Sequence, residues 1–173
     1  MKTKSLVIAA LMVALAVTLP LTSHITKVGG PVILPMHIPI FLAGLLLEPG
    51  WAVAVAIVSP IISFLLTGMP PMSPPMLPLM VVELITYALT LSLLTRLGRH
   101  SIWITLLVSM FAGRIALGLA AAVIGPLFNF YVNPLVYVYG AVLKGLPGIA
   151  LQLIIIPAVS RVSAFVKTIP QQQ

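Results

Sequence analysis

The chain has no cysteine and only two acids, Glu48 and Glu83, and charged residues make up just 6% of its 173 positions. Without cysteine there is no disulfide framework, no thiolate metal site and no cysteine nucleophile. A soluble domain carries about 25% charged residues, so a water-facing surface cannot be built from this composition. No His-x-x-x-His pair, Glu-x-x-His pair or carboxylate cluster points to a metal site. No nucleophile–base pair stands out, so the chain reads as no enzyme and needs no cofactor of its own. Spare length is lacking too. A membrane-crossing helix takes about 20 residues, which leaves room for six or seven and none for an ATPase or other soluble module. Any energy from ATP then has to be supplied by partner subunits.

What the sequence does have is apolar surface, with 61% hydrophobic residues. The apolar runs are long and do not alternate with polar residues, unlike the strands of an outer-membrane barrel. In lipid every backbone polar group must be bonded internally. The expectation is an all-α membrane protein, residues 1–173 forming a single domain of six transmembrane helices. The net charge of +7 does not indicate nucleic acid, because the basic residues are scattered and mostly sit at helix ends, where membrane orientation explains them.

The spans are expected at Ser5–Leu21, Pro35–Leu47 (short), Trp51–Leu66, Met76–Leu94, Ile102–Ile124 and Pro134–Phe165. The last is too long for one straight crossing, and Gly145, Pro147, Gly148 and Pro157 can kink it. Three connections are long. Thr22–Leu34 is a more polar loop with His24, Lys27 and a Gly29-Gly30-Pro31 turn. Thr67–Pro75 carries four prolines, which forbid a regular helix and stiffen the loop. Leu127–Asn133 holds two asparagines and aromatics. Ala14-Leu15-Ala16 could mimic a signal-peptide cleavage site, but cleavage would leave five spans, which the charge pattern gives no reason to prefer. Six spans put Lys2, Lys4, Arg96, Arg99, Arg161 and Lys167 on one side and only Lys27 on the other. That is a positive-inside pattern, and it sets both the N and C termini in the cytoplasm and the three long connections outside.

Three ionisable residues fall within spans: Glu83, Arg114 and Lys144. Such charges are costly unless paired or hydrated, and are functional candidates by default. A structural Glu83–Arg114 or Glu83–Lys144 pair is the plain alternative. Either pairing leaves one cation over, which favours a ligand with an acidic or strongly accepting group. His37 lies in the first turn of the second span, either as an interfacial histidine or as a ligand contact. Asn129, Tyr131, Asn133, Tyr137 and Tyr139 gather at the outer end of the fifth and sixth spans. An aromatic belt accounts for tyrosines there more readily than for the asparagines. Ala10 and Ala14 share one face of the first helix and allow another helix to approach closely. Ala112, Ala116 and Ala120 make a similar stripe suited to internal packing.

The order His37-Ile38-Pro39, Gly44, Ser59-Pro60-Ile61-Ile62-Ser63, Leu66-Thr67-Gly68-Met69-Pro70-Pro71 and Glu83-Leu84 resembles the substrate-binding S components of energy-coupling factor (ECF) vitamin transporters. The Gly-Met-Pro-Pro loop is the most specific part, and the resemblance covers essentially the whole chain. It implies a high-affinity substrate-binding subunit of an ECF-type ABC importer in a prokaryotic plasma membrane. Such a subunit captures a water-soluble vitamin or precursor outside and delivers it inward by toppling on a transmembrane coupling subunit, with ATP hydrolysed by two ATPase subunits. It also implies a site near the outer face, roofed by Thr22–Leu34 and Thr67–Pro75, which brings Met69 and Pro70 into the candidate set with His37, Glu83, Arg114, Asn129, Asn133, Tyr137 and Lys144. Ala10 and Ala14 match the face that docks the coupling subunit. Members with this loop pattern handle pantothenate, pyrimidine- or pyridoxine-type precursors, and corrinoids or their fragments; the spare cation favours pantothenate. The reading from another class is a stand-alone secondary transporter using Glu83 for ion coupling, which would show ion- or pH-dependent uptake by the lone chain.

Overall fold

The computed structural model describes the backbone of residues 2–26, 30–98 and 101–168, and side chains over 3–21, 32–98 and 101–161. Lys27, Gly29, Arg99, His100 and the end of the polar tail lie outside the described residues, as do the side chains of Lys2, His24 and Lys167. All described regular structure is helical: α1 (Lys2–Thr26), the single turn α2 (Gly30–Ile33), α3 (His37–Leu46), α4 (Pro49–Thr67), α5 (Met76–Leu97), α6 (Ile102–Ile124), a 3-10 turn (Gly125–Phe128) and α7 (Pro134–Thr168). Five of these helices, α1, α4, α5, α6 and α7, are long and apolar enough to cross a membrane. Their outward side chains include Leu65 at 74% exposure, Phe111 at 70% and Leu135 at 81%, a surface suited to lipid rather than water.

The second expected span, short already in the sequence, is shorter still in the structure. Its helix α3 has ten residues, about 15 Å of rise against a hydrocarbon core of about 30 Å. It is an apolar helix shorter than a crossing. The stretch before it is irregular, with Leu34 at φ 51° and Met36 buried. Irregular backbone at membrane depth is tolerated when it is enclosed by protein, and here α2 packs on α7 while α3 touches α1, α4, α5 and α7. α3 runs parallel to α5. Its first residue, His37, stands 4.0 Å from Glu83, and Leu47 just beyond its end accepts a hydrogen bond of 2.8 Å from the Ser92 hydroxyl.

Three other boundaries shift. α1 continues through Pro20 to Thr26, so part of the expected Thr22–Leu34 loop is helical, and α2 makes a further turn within it. α5 reaches Leu97. α7 is one helix through Pro147 and Pro157, because neighbouring helices can satisfy the backbone groups that proline frees.

The core centres on α3. Ile40 and Phe41 are fully buried against Ala16, Ala52, Ala56, Leu84, Ala88, Leu91, Leu106 and Ile156. A second cluster joins Leu79 of α5 to Leu117, Ala120 and Ala121 of α6, where the Ala112–Ala116–Ala120 stripe ends. Gly113 brings α5 and α6 together: a Cβ there would run into the Tyr87 ring, which the missing side chain admits. The Ser109 hydroxyl donates to the Tyr87 carbonyl at 2.9 Å and holds the same two helices in register. Between α4 and α5, Gly68 closes α4 in the left-handed conformation, φ 73°. The Thr67 hydroxyl donates to the Ser63 carbonyl at 2.7 Å and accepts from Met69 N–H at 3.2 Å. At the far end, Leu77 N–H donates to the Pro71 carbonyl at 3.1 Å.

Candidate functional site

The proline loop, the irregular stretch before α3 and the facing ends of α5, α6 and α7 enclose a cavity of about 280 Å³. α5 supplies Met76, Met80 and Glu83, which with Tyr87 recur at the i, i+4, i+7, i+11 spacing of one helix face. α6 supplies Arg114 and Leu117, and α7 supplies Tyr137, Ala141 and Lys144, again on one face. His37, Met69, Pro70 and Ser63 complete the polar and loop-derived parts of the wall. Seven of the nine expected site residues therefore meet around one cavity: His37, Met69, Pro70, Glu83, Arg114, Tyr137 and Lys144.

Glu83 is the hub. It is 5% exposed. Its Oε1 accepts a hydrogen bond from Tyr87 Oη at 2.6 Å and an ion-pair contact from Arg114 Nη1 at 2.7 Å. Tyr87 follows Glu83 by four residues, the spacing that stacks side chains on one helix face, and Gly113 lets its ring come close against α6 at the residue before Arg114. Phe41 and His37 pack on that ring, with centroids 4.9 and 5.7 Å away. Charge-assisted contacts at these distances are the strong kind, and they satisfy one carboxylate oxygen twice. The other, Oε2, stands 4.0 Å from His37 Nε2.

His37 is buried, at 4% exposure, and neither ring nitrogen has a hydrogen-bond partner. Buried polar atoms are generally paired, so this one marks a place where a partner is missing. Lys144 lines the same cavity and has no ion-pair partner among the described residues. With Glu83 matched by Arg114, the cavity carries one surplus positive charge.

Asn129 and Asn133 are not among the residues lining the cavity. Asn129 ends the 3-10 turn at φ 54°, a left-handed conformation that asparagine tolerates well. Asn133 caps α7: its Oδ1 accepts from Leu135 N–H at 3.0 Å and Val136 N–H at 3.4 Å. Sequence reasoning passed over Tyr87, Met80 and Ser63. The α5 periodicity carried the signal for the first two.

Ala10 and Ala14 are exposed on α1. They line a separate apolar groove of about 510 Å³ between α1 and α4, together with Leu6, Val13, Trp51, Val58 and Ile62. Small side chains flanked by larger ones leave a shallow channel into which a helix from another protein can pack.

No curated protein and no solved structure matches the chain. The family model described as "ECF transporter, substrate-specific component" matches residues 4–160. That is most of the sequence, and the chain belongs to this family.

Proposed function

We propose that this substrate-specific component of an ECF transporter captures a small carboxylated vitamin, pantothenate first among the candidates, in the cavity between the Gly68–Pro75 loop and the Glu83–Arg114 pair. The observation that carries the reading is the surplus cation. Arg114 is matched by Glu83 at 2.7 Å, and Lys144 faces the same cavity without a partner acid, so an acidic ligand completes the charge balance. The volume of about 280 Å³ lies just below the usual range for small-molecule sites, roughly 300–1,000 Å³. It suits pantothenate or a pyrimidine- or pyridoxine-sized precursor and is too small for an intact corrinoid.

The topology that goes with this reading has six passes, with α3 and its irregular approach forming the short one, both termini in the cytoplasm and the cavity opening outward in the plasma membrane. The run of α3 parallel to α5 supports that return leg, and Lys4, Arg96 and Arg161 at the opposite helix ends support the orientation. The α1–α4 groove with Ala10 and Ala14 is the docking face for a transmembrane coupling subunit. Two ATPase subunits of the ECF module hydrolyse ATP, and the chain topples on the coupling subunit to release its cargo inward. The use of Glu83 Oε1 by both Arg114 and Tyr87 speaks against a carboxylate kept free to load a coupling ion. Calorimetric titration of the purified chain with a vitamin panel tests the reading: 1:1 binding of one small carboxylated vitamin is expected, and binding of none defeats it.

A further inference from the structure

We infer that the 4.0 Å gap between His37 Nε2 and Glu83 Oε2 is the seat of an alcohol hydroxyl on the ligand, so that the cargo is a hydroxy acid. The inference rests on the capture reading above. The gap joins an orphaned ring nitrogen to a carboxylate oxygen. His37 is 96% buried with both ring nitrogens unpartnered, and Glu83 Oε2 is the oxygen that Arg114 and Tyr87 leave aside. Both residues line the cavity.

The geometry selects the group. An oxygen about 2.8 Å from each atom, an ordinary hydrogen-bond distance, closes a 4.0 Å separation with an angle of about 90° at that oxygen. One atom therefore bridges the gap without either side chain moving. Chemistry selects it further. A ring N–H facing a carboxylate is attracted and a lone pair is repelled, so Nε2 carries the proton and is a donor. Glu83 is an acceptor. The bridging group must accept from one side and donate to the other, which an alcohol does through a single oxygen. An ammonium group only donates, and Arg114 and Lys144 in the same wall repel it. A carboxylate only accepts and would face Glu83 with like charge. With Lys144 for the acid and the His37–Glu83 gap for the alcohol, the cavity holds two polar seats, the rest of its lining being largely apolar: Met36, Met69, Met76, Met80, Leu117 and prolines.

The test is calorimetric titration of the full chain in lipid nanodiscs with pantothenate and pyridoxine, each beside its monodeoxy analogues, and with biotin, which has no alcohol group. One monodeoxy analogue of the compound that binds should lose about 10- to 100-fold in affinity, the range for a hydrogen bond to a charged group. His37→Leu should weaken the parent compound by a similar factor and erase its advantage over that analogue, while His37→Gln, which keeps an N–H, should retain part of it. If His37→Leu fails to fold, the analogue series on the native chain and His37→Gln decide. Deoxy analogues that all bind as tightly as the parent overturn the hydroxyl seat, as does a His37→Leu variant that weakens parent and analogue equally, the result expected if the gap merely holds water. Tight binding of biotin overturns the seat while leaving vitamin capture standing, and tight binding of pyridoxine, which has alcohols but no carboxylate, overturns the hydroxy acid. Binding of no compound defeats the capture reading itself.

Discussion

Replacing Arg114 with methionine keeps much of the side chain's apolar bulk and removes its charge, leaving buried Glu83 with the Tyr87 hydrogen bond and no ion-pair contact closer than His37 at 4.0 Å. The Arg114 and Glu83 side chains are 13% and 6% exposed and 2.7 Å apart, so water does little to screen or replace the lost partner. Breaking a buried pair from one side costs about 3–5 kcal/mol. A second estimate converges on that figure. Protonation offers any stranded carboxyl an escape, and for an ordinary glutamate, pKa about 4.3, that costs about 3.7 kcal/mol at pH 7. Together they put the loss at about 3–4 kcal/mol. For a chain of this size, with 2–4 °C per kcal/mol, the unliganded protein should melt about 6–16 °C lower. Fluorescence of Trp51 and Trp103 in nanodiscs would follow the transition. Adding Glu83→Gln should recover most of the loss, because the amide oxygen still accepts from Tyr87 and no charge is stranded. An Arg114→Met variant that melts within about 2 °C of the native chain would refute the buried pair, as would a double variant no better than the single one.

Tyr87→Phe keeps the ring in its slot against Gly113 and Phe41 but deletes the 2.6 Å bond to Glu83; a loss of about 1.5–3 kcal/mol should appear as a lower melting temperature. Gly113→Ala gains about 1 kcal/mol in helix propensity but drives a methyl into the Tyr87 ring, at about 1–3 kcal/mol for overpacking. The net effect should be a melting temperature lowered by a few degrees, and a raised one would mean the ring lies elsewhere. Lys144→Met should weaken binding of a carboxylated ligand by about 10-fold while barely changing affinity for its amide. Ala14→Trp should fill the α1–α4 groove and abolish uptake in cells that carry the ECF module, with vitamin binding by the isolated chain retained; surviving uptake would remove Ala10 and Ala14 from the docking face.

The apolar runs located every long helix, and α6 was legible to the residue because its signals are local. Ser101 caps it, the hydroxyl accepting from Trp103 N–H at 3.4 Å, and Gly125-Pro126 ends the regular α-helix. Glu83, Arg114 and Lys144 were legible because charge in an apolar run is conspicuous. The failures are tertiary in origin. The second span read as short, but nothing local marks the irregular stretch before α3, which is held from outside: α2 packs on α7 and Leu34 lies against Gly145. Gly145 and Gly148 read as kink sites, yet they serve close packing: a Cβ on Gly148 would sit 2.5 Å from the Ile33 carbonyl oxygen and one on Gly145 2.8 Å from Leu34. Asn133 could be read either way from the sequence, because capping and binding call for the same side-chain amide, and the structure shows it as the cap of α7.

The decisive observation is equilibrium binding to the purified chain in nanodiscs, without nucleotide, ion gradient or any other subunit, across a labelled vitamin panel. A chain that captures cargo and leaves the energy to its partners must bind one small carboxylated vitamin at 1:1 stoichiometry, with Arg114, Lys144 and His37 each contributing. The absence of saturable binding to any panel member under those conditions would contradict it.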